Sequence, residues 1–600
     1  MMNVALRRVA GFIEQWPRAT IALLLLTAAV VRSVVLFDIS HSPYSDFLLM
    51  DEQIYHSWAV QLAEGTFEST RIYEFTPLPA YIMAIVYRLF GPEPFYIRIV
   101  NLVYGILTCW IIFLIGKNLG GRTVGLISGV MACFYGPFVL YSVVPLKTAL
   151  AVLLFALTVY FFLSATDSEG SGRKVIAGLA AGLLLNVRPH GIAVIGCLLF
   201  AFPVIDWQRK AGLGKAVAGT AAYAAGLLLA ISPFMARNYF VAGELALTTP
   251  QAGQNLYYGN QLTNPTPYYR PLAFAASSPF KQGVQFTIEA SRRTGKTLSH
   301  REASAFWMRQ VFRDALERPV GFAWKLWGKG LALFNRFEPG DHYHIDFLKK
   351  VMPTFRFPFL SLWIVMPLAM ATLLTGVAGR KKSLAVFAVF GAYGATLVIL
   401  YTNTRYRLPV TALLIPLAAL GLWRMVAPNE KDGPCRRWVF LLVAVGFFII
   451  AALPLKGTGD MTAYYNTHGV VLKKAGHPDK ALEYWRKSSR MNGAFSVYAD
   501  ISMAALYFKA GDMSTAARHL AAVPDDSFAA AQKYHLLGNM MVHGQKPMEA
   551  VWAYEKSLSI NSGQRKVRSQ LIQLLRLLDP RRAALEYRKL KYIEGFYSQR

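Results

Sequence analysis

Long apolar runs separated by short charged loops fill the first three quarters of the chain, and a denser, repetitive amphipathic pattern fills the remainder. Apolar stretches near 19–37, 95–116, 122–140, 146–164, 174–188, 190–206, 214–235, 357–377, 383–401, 408–426 and 437–454 read as membrane-spanning helices. A bilayer's hydrocarbon core needs about 20 apolar residues per helix, so the 174–188 run is expected to be tilted or broken. TPLPAYIMAIVYRLFG at 76–91 is also apolar but short, and it opens with Pro77 and Pro79. It predicts a re-entrant or interfacial helix. An aromatic-rich amphipathic stretch near 300–335 predicts a helix lying on a membrane surface.

From 463 onward three segments align, and small residues recur within them. Gly469, Ala505 and Gly538 stand at spacings of 36 and 33, as do Ala481, Ala517 and Ala550. Small side chains at such a period let paired helices approach closely, as in a helix-turn-helix repeat of about 34 residues. The segments resemble tetratricopeptide repeats, with a degenerate fourth copy near 565–592 around Ala584. Such solenoids dock proteins or peptides, so a protein partner on this segment is expected. The fold class is all-α: a polytopic membrane domain of about 11 spans over 1–455, then a soluble α-solenoid over 463–600.

Composition agrees with this division. Hydrophobic residues make up 54% of the 600 positions, charged residues only 16%, and the mean hydropathy is +0.34. The formal net charge of +29 is spread in short runs between apolar segments, with no nucleic-acid-binding motif. Anionic membrane lipids are its expected counterpart. Lys117 with Arg122, Arg173 with Lys174, Arg209 with Lys210 and Lys215, Arg380 to Lys382, and Arg436 with Arg437 occupy alternate loops. By the positive-inside rule these loops and the N-terminus are cytoplasmic, and 38–94, 236–356 and everything after 455 face out. Arg7, Arg8 and Arg18 precede IALLLLTAAVV without a clear small-x-small cleavage site, which reads as an uncleaved anchor. Cys109, Cys133 and Cys197 lie in apolar runs and Cys435 in a basic loop, so no structural disulfide is expected.

With this topology Asp46, Asp51, Glu52 and Glu74 share the first outer loop. Lys147, Arg188, His190, RNY at 237–239 and TNTRYRLP at 402–409 reach the same membrane face. Carboxylates that can take a proton and cations that can hold a phosphate therefore converge, as an enzyme using a lipid-linked phosphate requires. Asp51 and Glu52 head the helix MDEQIYHSWAVQLAEG, whose stripe is Tyr55, Trp58, Ala59 and Leu62. One reading makes Asp51 an N-cap and Glu52 a partner of the helix dipole; the other makes the pair catalytic. Helical neighbours point about 100° apart, so only one of the two can aim straight into a pocket. Arg405 and Arg407 flank Tyr406 and suit bidentate phosphate binding, with headgroup snorkelling as the alternative. Lys147 opens a helix where the dipole helps hold a phosphate, and Arg188 lies in a Pro-interrupted turn deep in apolar sequence. Arg32, inside the first span, is expected to snorkel outward. Tyr55, Arg237, Asn238, Asn255, Tyr258 and Asn260 are candidates for sugar or acceptor recognition, or for capping turns. TGKT at 294–297 lacks the upstream Gly and strand of a phosphate loop. DHYHID at 341–346 offers Asp341, His342, His344 and Asp346 as possible metal ligands, with alternating residues on one face if extended. Metal use is left open, and no organic cofactor is expected.

The order of these motifs resembles a known family. MDEQIYHSWAVQLAEG, TPLPAYIMAIVYRLFG and RIVNLVYGIL are similar to the first-loop region of polyprenyl-phosphate-sugar-dependent glycosyltransferases of the GT-C fold, which include protein O-mannosyltransferases and lipid A aminoarabinose transferases. RNYFVAGELALTTPQAGQNLYYGN, ERPVGFAWKLWGKGLALFNRFEP and RYRLP extend the resemblance over roughly 10–430. Pro79 departs from a Tyr common in relatives. The resemblance implies an inverting transfer from a polyprenyl-phosphate sugar to a protein, lipid or glycan hydroxyl, in a bacterial inner membrane. Asp51 best matches the general base, Glu52 is the second candidate, and Lys147, Arg188, Arg405 and Arg407 would hold the donor phosphate. Two other readings remain open: a transporter or scaffold recruiting partners through its repeats, and a ligase or polymerase using a diphosphate-linked glycan.

Overall fold

Uninterrupted apolar runs form long helices because, away from water, a helix satisfies its own backbone polar groups. The computed structural model describes residues 11–598 except 12–13, 68–71, 168–169, 211, 244–246, 248, 277, 378 and 428–433, so Arg7 and Arg8 lie outside the described residues. Among the described residues every regular element is helical, apart from one isolated bridge between Tyr135 and Leu360. Among the described residues eight helices are long and apolar enough to cross a membrane: Pro17–Ser40, Pro94–Gly120, Thr148–Ala165, Gly191–Gln208, Leu213–Ala242, Lys382–Ile399, Thr404–Val426 and Cys435–Ala452. Thr148–Ala165 and Thr404–Val426 have 83% and 72% of their apolar windows buried, against 17% for Cys435–Ala452. The first two are the central posts of the bundle, and the last keeps most of its surface for lipid.

Three of the expected spans are shorter helices: Arg122–Cys133, Gly172–Leu185 and Leu362–Leu374, of 12, 14 and 13 residues. The 122–140 run is not one helix. It stops where Gly136 N donates to Leu360 O at 2.9 Å and Leu360 N to Phe134 O at 2.8 Å, and Pro137 then opens a second short helix, Gly136–Tyr141. Backbone groups freed by the break are thus paired inside the protein. Leu78–Phe90, the short apolar segment opened by prolines, packs Ala80, Met83 and Ala84 against Tyr55 and Ala59 while Ile85, Leu89 and Phe90 stay exposed. Phe312, Leu316, Val320, Trp324 and Trp327 form an exposed apolar stripe along His300–Glu317 and Pro319–Phe334, as a surface-lying segment requires.

Arg32 does not snorkel. It is fully buried, donating to Ala28 O, Ala132 O and Cys109 Sγ. Gly105 makes the room, since a Cβ there would lie 2.6 Å from Arg32 Nε. All four cysteines are free.

The basic loops gather at one end of the bundle. Lys382 donates to Asn118 O at 2.8 Å and pairs with Asp167 at 3.4 Å, Arg173 donates to Ser164 O, and Arg122 pairs with Glu14. A Cβ on Gly120 at that end would meet Leu420, late in Thr404–Val426. Arg405, at the start of the same helix, therefore sits at the opposite end.

Beyond the last span come four helix pairs: Thr462–Lys474 with Pro478–Arg490, Ser496–Lys509 with Met513–Ala521, Ala530–His543 with Pro547–Ile560, and Arg565–Leu578 with Pro580–Ser598. Close approach explains the small residues: a Cβ on Gly469 would lie 2.4 Å from Trp485 Nε1, and one on Gly538 2.4 Å from Tyr554 Cε1. In the other pairs the register is one residue off the expected one. Ala504, Ala516 and Ala583 are buried, while Ala517 and Ala584 face solvent and Ala505 is half-buried. One step along a helix turns a side chain by about 100°, out of the packed face. The corrected spacings are 35 and 34 at both positions. The array is anchored at both ends: His468 bonds Tyr44 at 2.9 Å, and Ile593, Phe596 and Tyr597 pack on Val284 and Ile288 of Pro279–Thr294.

Candidate active site

The Asp51–Glu64 helix starts at Met50, whose φ of 46° is unusual for a side-chain-bearing residue, and ends at Gly65 with φ 72°. Such backbone strain persists only where the surroundings enforce it. Asp51 is the first helical residue, and no side chain caps this N-terminus. Its carboxylate turns to Arg405, with Oδ2 2.7 Å from Nη1. Glu52 turns the other way and is fully buried; Leu49 N donates to its Oε2 at 2.9 Å and Tyr343 OH to its Oε1 at 3.0 Å. The helical offset between neighbours has separated the pair. Burial raises Asp51, but the charges of Arg405, His342 and Lys147 outweigh it and hold the carboxyl at about 2. Burial lifts Glu52 to about 7 despite its hydrogen bonds.

Arg405 also pairs through Nε with Asp341. Asn403, the N-cap of Thr404–Val426, accepts from Tyr406 N at 2.9 Å and donates to Asp341 Oδ1 at 2.8 Å. Arg407 stands apart from this cluster: it donates to the carbonyls of Ala332, Asn335 and Phe337 at 2.8–3.0 Å. The DHYHID residues do not share a face. His344 Nδ1 accepts from Asp346 N as a helix cap, and Asp346 pairs with Lys349 at 2.7 Å, away from Asp341. Sequence reasoning singled out Asp341 only within a possible metal-ligand run and missed its partner, an arginine 64 positions on.

Lys147 N-caps Thr148–Ala165 and donates to Tyr55 OH and Thr76 Oγ1, each at 2.8 Å. Thr76 in turn donates to Val187 O at 3.0 Å, tying this cation to the turn that carries Arg188. Arg188 is 1% exposed, with its guanidinium 4.7 Å from the Tyr406 ring centroid, and none of its three side-chain nitrogens has a hydrogen-bond partner. The ring of His190 lies 5.0 Å from that of Tyr406, and both its nitrogens are also unpartnered. Burial, then the charge of Arg188, pushes the Lys147 ammonium down to about 7. Burial and the same cations lower the His190 imidazole to about 3. Buried guanidinium donors without a partner, beside a second cation, have the chemistry to hold an anion.

The other predicted residues hold the surroundings. Arg237 lies over the Tyr73 ring at 4.2 Å and donates to Asn238, whose Oδ1 also accepts from Tyr73 N. Together they hold the segment leading to Thr76. Beside it, a shallow cleft is lined by Leu185, Ile231, Phe234 and Leu247 together with Asn186 and Thr249. Tyr258 is buried among Tyr269 and Phe286. Asn260 donates to Leu256 O and Ile399 O and accepts from Lys329. Asn255 is half-buried on the same short helix, and Asp46 is exposed.

No curated protein matches the chain in sequence. Among solved structures, the apo oligosaccharyltransferase of Archaeoglobus fulgidus aligns with a TM-score of 0.40 and 15% identity, over 73% of this chain and 56% of that one. The chain thus spans little more than half of that enzyme's length. ArnT from Cupriavidus metallidurans bound to undecaprenyl phosphate aligns with a TM-score of 0.38 and 14% identity, over 93% of this chain and 80% of that one. A family model for dolichyl-phosphate-mannose-protein mannosyltransferase matches residues 74–236. The segment carrying Thr76, Lys147, Arg188 and His190 is therefore similar in sequence to the dolichyl-phosphate-mannose-protein mannosyltransferases, while Asp51 and Arg405 lie outside the matched residues.

Proposed function

We propose that the protein is a GT-C glycosyltransferase that moves a sugar from a polyprenyl-phosphate carrier to an acceptor hydroxyl on the outer face of the cytoplasmic membrane, with inversion. The observation that carries this reading is Arg188, a buried guanidinium without a hydrogen-bond partner, next to Lys147 and facing the Asp51–Arg405 pair across Tyr406. The family-model match over the same segment supports it.

In this reading the donor phosphate lies against Arg188 and Lys147 and draws on Arg405. Arg405 is shared, so whatever it gives to phosphate it withdraws from Asp51, whose carboxylate becomes more basic. Asp51 then takes the acceptor's hydroxyl proton as the acceptor oxygen bonds the anomeric carbon on the face opposite the phosphate. The anomeric C–O bond breaks toward the carrier, leaving polyprenyl phosphate with the bonding pair. Proton removal of this kind contributes about 10²–10⁴-fold, and cations on the departing phosphate supply much of the remainder. The helix pairs after 462 form a tetratricopeptide-like array on the same outer face, available to an acceptor or to a protein that delivers it.

The test is glycan transfer in membranes carrying wild type or Asp51→Asn at matched abundance, read by mass spectrometry of envelope lipids and proteins. Loss of one sugar-bearing product by about 10²-fold or more upholds the reading and names the acceptor. Full transfer by Asp51→Asn overturns it.

A further inference from the structure

We infer that Tyr464, in the first helix of the repeat segment, is a positioning residue of the transfer site: it fixes Gly340 so that Asp341 keeps Arg405 turned toward Asp51. The inference rests on the transferase reading above.

Three consecutive residues at 339–341 are held from different sides. Thr404 donates its N–H and its hydroxyl to Pro339 O, at 2.8 and 3.0 Å, and Asn403 donates to Asp341 Oδ1 at 2.8 Å. Both belong to the start of Arg405's own helix. Between them, Gly340 O accepts from Tyr464 OH at 2.8 Å, a donor more than 120 residues along the chain. The turn has no slack, since a Cβ on Gly340 would lie 1.7 Å from Tyr343 O. The Tyr464 ring is itself set against His344, 4.9 Å between centroids. One helical turn further on, His468 bonds Tyr44 in the segment that leads to Asp51. Thr462–Lys474 therefore braces both carboxylate-bearing segments, and the array is built into the site rather than appended to it.

Removing the hydroxyl while keeping the ring should release the Gly340 peptide and let Asp341 and Arg405 drift together. Steady-state transfer by the full-length protein is measured for wild type, Tyr464→Phe, Asp341→Asn and the double variant, with Asp51→Asn alongside. Tyr464→Phe is expected to lose about tenfold in kcat, as small misplacements in a catalytic site do, with donor KM within about twofold. Residues acting as a unit are non-additive, so the double variant should be no slower than Asp341→Asn alone. Tyr464→Gln keeps a donor but not the ring; more kcat than Tyr464→Phe upholds the role of the hydrogen bond, and less overturns it. Wild-type kcat in Tyr464→Phe, or losses that multiply in the double variant, also overturns the inference. If Asp51→Asn transfers normally, the transferase reading fails first and takes this one with it.

Discussion

Arg405 Nη1 and Asp51 Oδ2 lie 2.7 Å apart, across 354 residues of chain. The same guanidinium is held by Asp341, so one cation serves two carboxylates from separate loops. Such a trio is short of one positive charge. An incoming phosphate would not mend the deficit by itself; in the proposed mechanism it enlarges the negative charge that Arg188, on the Tyr406 ring, and Lys147, on Tyr55 and Thr76, balance. In the proposed mechanism the free protein keeps Asp51 ionised but muted, and a donor phosphate would redistribute Arg405. That division gives the unpartnered Arg188, the hydrogen-bonded Lys147 and the shared Arg405 different signatures on mutation.

Arg188 and Arg407 should separate cleanly. Arg188 has no hydrogen-bond partner, so Arg188→Gln removes a buried, unpaired charge. Donor KM is expected to rise about tenfold or more, with thermal stability unchanged or higher. Arg407 satisfies three buried carbonyls. Arg407→Gln should lower stability by about 1–3 kcal/mol, with donor KM near wild type among the molecules that remain folded. Donor kinetics and thermal unfolding of both variants in detergent decide the assignment. A KM effect confined to Arg407→Gln would exchange the roles.

The long apolar runs, the alternation of basic loops and the repeat period were legible because each is a property of many residues at once. Single-residue details were not. Ala505 and Ala517 differ from Ala504 and Ala516 by one step, and a period counted on small residues cannot tell which alanine faces the neighbouring helix. The break at Phe134–Gly136 depends on Leu360, a partner more than 200 residues away. For the site, the sequence placed Asp51, Lys147, Arg188 and Arg405 on one face of the membrane. It could not say that Arg407, two residues from Arg405, points to backbone carbonyls, or that Asp341 and Tyr464 close the network. Those are tertiary contacts between loops, with no local periodicity to betray them.

The proposed donor-binding role of Lys147 predicts that binding is sensitive to pH. Burial and neighbouring Arg188 depress its ammonium to about 7 from the ordinary 10.5. A phosphate bound to Lys147 favours the protonated form, so binding takes up a proton and weakens as the free enzyme loses it. Donor affinity is expected to be constant below about pH 6 and to fall through pH 7 to 8, by roughly tenfold per pH unit at the steepest. Lys147→Arg, which stays charged, should bind the donor with no such decline. Titration with a polyprenyl-phosphate sugar, a phosphodiester that does not itself ionise in this range, between pH 5.5 and 9 measures this, and an unchanged profile in Lys147→Arg would assign the decline to another group.

Glu52 gives the opposite kind of pH dependence, in stability rather than binding. Its carboxyl is raised by burial from 4.5 to about 7, so in that interval the folded protein keeps a proton that the unfolded chain releases. Stability from this group is therefore fully present below about pH 4.5, declines as pH rises, and is lost above about pH 7. Glu52→Gln replaces the carboxyl with a neutral group of the same shape that can still accept from Leu49 N or Tyr343 OH. The variant should match wild type near pH 5 and unfold at a higher temperature near pH 8. Transfer should remain within about tenfold of wild type, because the side chain faces Tyr343 and not the Asp51–Arg405 pair. A loss of transfer as deep as that of Asp51→Asn, without a change in unfolding temperature between pH 5 and 8, would return Glu52 to the catalytic machinery and make Asp51 its electrostatic partner.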